Sequence, residues 1–546
     1  MTTVATPIAA GKTASSARER TALWGGVGLA VVALLGLPAV LYPFCVDQGM
    51  FAYIADVWLR GGLPYRDAWD IKPPGIFVIY AAAQLLFGRG MAASHIADLI
   101  ATVLAAGGLY ALARRQFSAP VAACAPVLFG IAYYTQFVFS NIAQTENFAA
   151  PLAAWMVYAV LRWRENGRGP WPIVAGGCVG CMVLLKTPLG LLGLLAAAPL
   201  LGARGRAPKA RRSADLILFL LSAAVPLLLT VAYFAQQGAL GQLTFLLAAQ
   251  RAYGSRALAH PVYFLRYLPL RFLDFFNTHR FVLLLALLAA VPNRALLRAK
   301  ASYWPDQGLI YGWLGLSALI ILAQWRLFEY HFLLLLPPLA LLAAGTLGGL
   351  QQVRARRPES PARLVALGMA VLLLGLPVAR DIARFHVAWL AWTGQMSRQA
   401  YLSLFAVPNY YPFSNTAAVA DFVRAHTNPQ DTILLYEFDP AIYYLSDRIA
   451  PTRHLSPIPL YQDGCYPEAM RRNWIREQIA DVTRRPPQML IVCGSARRFG
   501  MTDSDAIEPA RLHLGGHVYG YVTKFTRDKI YRLLPDMPPT GSRLSN

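Results

Sequence analysis

Residues 73–88 read PPGIFVIYAAAQLLFG, and whether this run crosses a bilayer fixes the topology of everything around it. It is shorter than the about 20 apolar residues that a helix needs to traverse the hydrocarbon core. Longer stretches with little or no charge lie on both sides. They predict spans near residues 22–42, 93–113, 118–139, 147–161, 170–186, 188–203, 215–236, 280–293, 307–324, 331–350 and 364–380, about eleven crossings. With the N-terminus inside, the cytoplasmic loops are Arg114-Arg115, Arg162 to Arg168, Arg204 to Arg212, Arg294 to Lys300 and Arg354 to Arg363. Nearly every basic cluster among the spans then sits on one side. Were 73–88 a crossing, all of these loops would move outside, against the positive-inside bias of short loops. The run is therefore expected to lie along the outer surface as a juxtamembrane helix. Cys45 to Ala92 becomes one long extracytoplasmic loop, about Gln237 to His279 a second, and the chain from about Asp381 also lies outside.

Composition excludes an ordinary soluble protein. Of 546 residues, 56% are hydrophobic and 14% charged, and the mean hydropathy is +0.41. A soluble domain carries roughly a quarter charged residues. Lys and Arg number 50 against 28 Asp and Glu, a net charge of +22 with a pI near 9.9. Because that excess collects in short loops between spans, it speaks for a membrane topology and against a nucleic-acid partner. Six cysteines rule out a disulfide-stapled scaffold. Cys178 and Cys181, in GGCVGCMVLL, lie within a span with no second ligand pair nearby, so small-residue helix packing is expected there. Cys465 and Cys493 fall in the polar C-terminal part, where a pairing would need an extracytoplasmic location. The uncharged run from Thr21 to Val46 is too long for a signal-peptide core and reads as a retained anchor.

The C-terminal portion changes character. WLAWTGQM and NYYPF suggest an interfacial connector. SNTAAVADFVRAHT has a Ser414 or Asn415 cap and helical periodicity, and TILLYEF and QMLIVCG read as buried strands. EAMRRNWIREQIADVTRR reads as a basic amphipathic helix, and YGYVTKF and KIYRLL as a terminal β pair. The expected organisation is a cytoplasmic tail at 1–21, a transmembrane body at 22–383, a connector at 384–413 and an extracytoplasmic α/β domain at 414–546. No internal repeat is visible.

Ionisable residues at a membrane are costly, so a cluster on one side marks a functional site. On the outer side stand Asp47, which ends the first span, and Asp56, Asp67, Asp70 and Lys72 in the same loop. Glu146 sits in SNIAQTENFAAP, Lys186 in LLKTPLG, and Arg326, Glu329, Tyr330 and His331 in WRLFEYHFLLLLPP. Any lone Arg or Tyr among them reads more often as an interfacial anchor or a snorkelling side chain. Lys72 differs, since the two prolines after it fix the backbone and start a helix. A carboxylate, a fixed cation and apolar surroundings suit a lipid-linked substrate with an anionic head. The same set could serve a transporter or flippase, although transport sites favour broken helices at the membrane midplane.

The pattern DQGMFAYIADVWLRGGLPYRDAWDIKPPG resembles the first outer loop of the GT-C membrane glycosyltransferases. The branch it is most similar to holds the protein O-mannosyltransferases (glycosyltransferase family 39) and the lipid A aminoarabinose transferase. The likeness continues through AQTENFAAP, LLKTPLG, HPVYFLRYLP and EYHFLLLLPPLALLAAG, over most of residues 20–350. It implies an inverting enzyme of the bacterial inner membrane. Such an enzyme moves a sugar from a polyprenyl-phosphate donor to a glycan, glycolipid or protein acceptor outside. Asp47 would be the general base, Glu146 the second acidic residue, and Lys72 the lysine near the donor phosphate. Lys186, Tyr330, Arg326 and His331 would lie near the donor head group, joined by Arg251 or His260 from the second outer loop. Many members have Asp-Glu where this chain has Asp47-Gln48, so no cofactor and no obligatory divalent metal are expected. The C-terminal domain is expected to serve as the acceptor platform.

Overall fold

The computed structural model describes residues 7–134, 139–166, 169–201, 209–258, 261–290, 307–356, 362–407, 411–436, 439–456, 458–461, 465–493, 511–514, 517–524 and 528–534. The helices of the first two-thirds are α1 (Pro7–Gly36), α2 (Val46–Leu59), α3 (Gly75–Phe87), α4 (Met91–Ala113), α5 (Ala119–Tyr134), α6 (Thr145–Asn166) and α7 (Trp171–Leu185). They continue with α8 (Leu194–Leu201), α9 (Lys209–Gln236), α10 (Leu240–Leu258), α11 (Pro261–Ala290), α12 (Gln307–Gln324), α13 (Leu336–Arg356) and α14 (Ala362–Trp392). Short 3-10 turns at Leu37–Leu41, Thr187–Gly193 and Glu329–Leu335 extend α1 or lead into α8 and α13. Among the described residues, each expected span overlaps a helix or a turn and helix together. Among the described residues, five segments are long and apolar enough to cross a membrane: Arg18–Leu41, Met91–Ala113, Arg212–Gln236, Gln307–Gln324 and Glu329–Gly349.

α3 occupies the run that decides the topology. Its 13 residues rise about 20 Å, well short of a bilayer's hydrocarbon thickness of about 30 Å. Ile76, Phe77, Tyr80 and Ala83 are buried against the protein, while Val78, Leu85, Leu86 and Phe87 are exposed. It packs on α2, α4 and α7. In the expected second outer loop, α10 is followed by α11, whose backbone kinks at His279. The kink separates the loop half of α11 from the expected span at 280–293, of which residues beyond 290 lie outside the described set.

Small residues set the helix packing, as the GGCVGC run suggested. A side chain at Gly176 or Gly180 of α7 would come within 2.1 Å of the Phe219 carbonyl oxygen or 2.3 Å of the Ala223 carbonyl oxygen of α9. Only glycine lets two helix backbones approach this closely.

Downstream, two short strands, β1 (Ala406–Val407) and β2 (Tyr411–Pro412), pair antiparallel. Then come α15 to α18 in the following order: Arg398–Ser403 before those strands, and Phe413–His426, Ala441–Ser446 and Ile458–Tyr461 after them, with α19 at Glu468–Arg484. A mixed sheet is built from β3 (Ile433–Tyr436), β4 (Met489–Cys493), β5 (Arg511–Leu514), β6 (His517–Lys524) and β7 (Asp528–Leu533), in the order β3-β4-β7-β6-β5. β3 and β4 are parallel, joined by the helical crossover, and the other pairs are antiparallel. β3, β4, β6, β7 and the amphipathic helix thus stand where the periodicity placed them, and β5 is a strand it did not indicate.

Three details differ from the sequence reading. α14 does not stop near residue 380 but runs unbroken to Trp392, carrying Asp381 and Arg384 inside the helix, where they pair at 2.6 Å. α16 starts at Phe413, so Ser414 and Asn415 lie in its first turn instead of capping it. The apolar core is also continuous: Ile433, Ile442, Trp474 and Ile491 share one buried cluster with Phe51, Tyr65 and Leu189. The side chain of Cys493 lies outside the described set, and with it any pairing to Cys465.

Candidate active site

The first turn of α2 carries Asp47, and Gln48 anchors that turn. The Cys45 N–H donates to Gln48 Oε1 at 2.8 Å, and the Gln48 amide donates to the carbonyls of Ile142 at 2.5 Å and Phe139 at 3.4 Å. Gln48 is fully buried. A carboxylate could not donate to those two carbonyls, so the amide has a positive structural reason at this position. The bond ties the helix bearing Asp47 to the segment that leads into Glu146.

Lys72 is fixed from four directions. Pro73 and Pro74 follow it, and Gly75 opens α3 against the end of α7, where a Cβ would lie 2.6 Å from the Leu184 carbonyl oxygen. That close approach demands glycine and sets the loop beside Lys186. The Tyr65 hydroxyl donates to the Lys72 carbonyl at 2.8 Å, and the Gln250 amide donates to the Ile71 carbonyl at 3.0 Å. The ammonium rests 5.3 Å from the centre of the Phe51 ring. Phe51 is one helical turn beyond Asp47, so the acid and the ring share a face of α2. Burial opposes the charge on Lys72, but the carboxylates of Asp47, Asp70 and Glu146 outweigh it and hold the pKa above the ordinary lysine value. Burial raises the buried Asp70 carboxyl, against the charge of Lys72. Among the described residues, neither Asp47 nor Lys72 is taken up by a direct ion pair.

Glu146 begins α6 and pairs with Lys186 Nζ at 2.6 Å, with the Thr145 hydroxyl donating to its other oxygen at 2.7 Å. The glutamate side chain is completely buried and the lysine side chain largely so. Lys186 also stands 5.4 Å from the centre of the Tyr330 ring. Tyr330 packs edge-on against the buried His331, their ring centres 4.9 Å apart. Arg326 stacks 4.0 Å from the centre of the Tyr253 ring. Asp47, Lys72, Glu146, Lys186 and Tyr330 thus share one electrostatic neighbourhood, with Tyr253 at its edge. Arg251 is exposed on α10; its neighbour Gln250 instead reaches the Ile71 carbonyl beside Lys72 and accepts from the Thr187 hydroxyl at 3.2 Å. His260 lies outside the described residues.

Asp98 was missed in the sequence. Buried in α4, it accepts from the Tyr133 hydroxyl at 2.7 Å, the Ala143 N–H at 2.8 Å and the Asn147 amide at 2.6 Å. It therefore holds the segment that presents Glu146. The available signal was an acid inside an otherwise apolar span, HIADLIATVL.

Backbone strain collects in the three segments that meet here. Tyr65 (φ 70°), Ala143 (φ 55°), Trp325 (φ 58°) and Leu327 (φ 49°) are all left-handed without being glycine. Such conformations cost on the order of 1–3 kcal/mol each and persist where the surroundings enforce them. They precede Lys72, Glu146 and Tyr330 respectively. Chemically, the site offers an ammonium free of a direct acidic partner, a carboxylate one ring away, and a neutralised Lys–Glu pair beside them. That set can hold an anion and take a proton from a neighbouring hydroxyl.

Residues 71–234 match the family model described as dolichyl-phosphate-mannose-protein mannosyltransferase. Among solved structures, the chain is similar to the crystal structure of ArnT from Cupriavidus metallidurans bound to undecaprenyl phosphate. The two share 14% sequence identity with a TM-score of 0.51, over 94% of this chain and 98% of that one. A search of curated proteins finds no match. The resemblance to the GT-C membrane glycosyltransferases is thus carried by two independent findings, a family match that begins one residue before Lys72 and a fold shared with ArnT over nearly the whole chain.

Proposed function

We propose that the protein is an inverting glycosyltransferase that moves a sugar from a polyprenyl-phosphate donor to a hydroxyl acceptor on the extracytoplasmic side of the bacterial inner membrane. The observation that carries this reading is the placement of Asp47 and Lys72 in one electrostatic neighbourhood, neither in a direct ion pair among the described residues, next to a short helix with an exposed apolar face. The basic loops put that end of the helices outside, with about eleven crossings and α3 lying along the surface.

In this reaction Asp47 takes the acceptor proton on one face of the anomeric carbon, and the polyprenyl phosphate departs from the other. Lys72 meets the charge of the departing phosphate. Arg326, stacked on the Tyr253 ring at the edge of the site, is the second cation. Lys186 and Glu146 form a rigid wall between the Lys72 loop and Tyr330. A phosphate is a good leaving group and needs no general acid, and the two cations do the work a metal would otherwise do.

The test is purified protein in liposomes with a polyprenyl-phosphate sugar and a mixture of envelope glycolipids. Mass spectrometry should show free polyprenyl phosphate together with a glycosylated acceptor. Donor carried across the bilayer intact would replace this reading with a flippase, and no change in donor would leave a binding protein.

A further inference from the structure

The C-terminal part touches the reactive loops directly, and Arg453 is where most of those contacts meet. Its guanidinium donates to the Tyr65 carbonyl at 3.1 Å and to Gln242 Oε1 of α10 at 3.3 Å, and pairs with Glu477 of α19 at 2.8 Å. It also stacks 4.5 Å from the centre of the Phe245 ring. Its own carbonyl accepts from the Trp69 N–H at 2.8 Å. One residue therefore joins the first outer loop, the second outer loop and the C-terminal helix.

The Tyr65 end of this link matters most. Tyr65 is fully buried, holds a left-handed backbone, and donates its hydroxyl to the Lys72 carbonyl. The guanidinium grips the same residue whose side chain sets the lysine backbone. Around it, Trp69 packs on Phe245 and Trp474 at ring-centre distances of 4.8 and 5.8 Å, closing the loop against α19. A second group of contacts holds α2. Gly49, two residues after Asp47, leaves room for Ala441, where a Cβ would lie 2.5 Å from the Ala441 Cβ. The Tyr53 hydroxyl meets the Ala450 N–H at 2.8 Å, and Arg89 joins Asp56 to the Tyr444 carbonyl.

We infer that Arg453 is a positioning residue for the donor-phosphate site: acting through Tyr65, it holds the Lys72 backbone in place from the C-terminal part of the chain. The role rests on the reading of Lys72 as a phosphate ligand. It also changes what the C-terminal part is for. A pure acceptor platform could be removed without touching donor binding, whereas a segment gripping Tyr65 and Trp69 could not.

The experiment compares full-length wild type with Arg453→Ala, Tyr65→Phe and, as a control within the C-terminal part, Arg424→Ala. Hydrogen–deuterium exchange over residues 64–72 reports the loop itself, and binding of polyprenyl phosphate in nanodiscs reports the lysine. Arg453→Ala should speed exchange in 64–72 and weaken lipid binding about tenfold, the loss of one charge-assisted hydrogen bond. Tyr65→Phe should weaken lipid binding similarly while leaving exchange over 433–446 unchanged, so it keeps the test decisive if Arg453→Ala misfolds. Arg424→Ala should match wild type in both. Unchanged exchange in 64–72, or faster exchange with unchanged lipid affinity, would overturn the positioning role. Wild type that binds no polyprenyl phosphate would instead overturn the donor reading, and the exchange arm would still decide whether Arg453 holds the loop.

Discussion

The buried Glu146–Lys186 pair gives the sharpest quantitative expectation. At 2.6 Å the attraction is about 6 kcal/mol for an effective dielectric of ~20. Desolvating the two groups returns much of that, so the pair's net value is small. Breaking it is another matter, because one charge is then left in the interior with no opposite charge paired to it, at a cost of about 3–5 kcal/mol. Lys186→Met and Glu146→Gln should each destabilise the protein by that amount, while the double variant, with no stranded charge, should regain most of it. Thermal and denaturant unfolding followed by circular dichroism in a fixed detergent gives the cycle, and donor turnover is measured on the same samples. A double variant that is stable yet turns over little donor would mean the pair shapes the site as well as the fold. Single variants within about 1 kcal/mol of wild type, or a double no more stable than the worse single, would refute the buried-pair energetics.

Other expectations follow from single contacts. Asp47→Asn should retain polyprenyl-phosphate binding and lose turnover by about 10²–10⁴, the usual range for a general base, read by binding and kinetics side by side. Lys72→Ala should weaken lipid binding by about ten- to hundredfold with the fold intact, since a hydrogen bond to a charged group is worth about 1.5–3 kcal/mol. Asp98→Ala strands the buried Ala143 N–H, while the Asn147 amide keeps its bond to the Thr102 hydroxyl, and should cost about 1–3 kcal/mol in an unfolding titration. Glu477 supplies a pH test: burial would raise its pKa, but the His454 hydrogen bond and the Arg453 charge hold it below the ordinary 4.5. A depressed carboxylate contributes stability that is present above 4.5 and lost as the pH falls through its folded value. The unfolding midpoint should therefore fall only in acid, and Glu477→Gln should flatten that limb.

Much of the architecture could be read from the chain because the bilayer imposes long uncharged runs and an uneven charge distribution. The decision about 73–88 rested on length and on the basic loops, and the short, half-exposed α3 has the dimensions that decision required. Lys72 was legible because Pro73 and Pro74 restrict the backbone locally. Pairings across the chain were not. Gln48 read as a lost carboxylate until its amide was seen to donate to Ile142 and Phe139. Glu146 read as a catalytic acid, while its burial against Lys186 depends on α6 meeting α7. Gln250 and Arg251 are adjacent letters, and only the rotation of α10 decides which of them reaches the Lys72 loop. α14 outran its apolar stretch because Asp381 and Arg384 neutralise each other within the helix, so the change to polar sequence did not mark its end. The C-terminal part read as a separate α/β unit because strand and helix patterns are local, whereas the contacts of Gly49 with Ala441 and of Arg453 with Tyr65 span nearly four hundred residues.

An experimental structure of the protein with polyprenyl phosphate bound is the most direct trial of the central claim. The phosphate should lie within hydrogen-bonding distance of Lys72 Nζ, its tail leaving along the exposed face of α3, with room for one sugar ring between the phosphorus and the Asp47 carboxylate. A phosphate seated away from Lys72, or a site in which Asp47 is walled off from it, would contradict the claim.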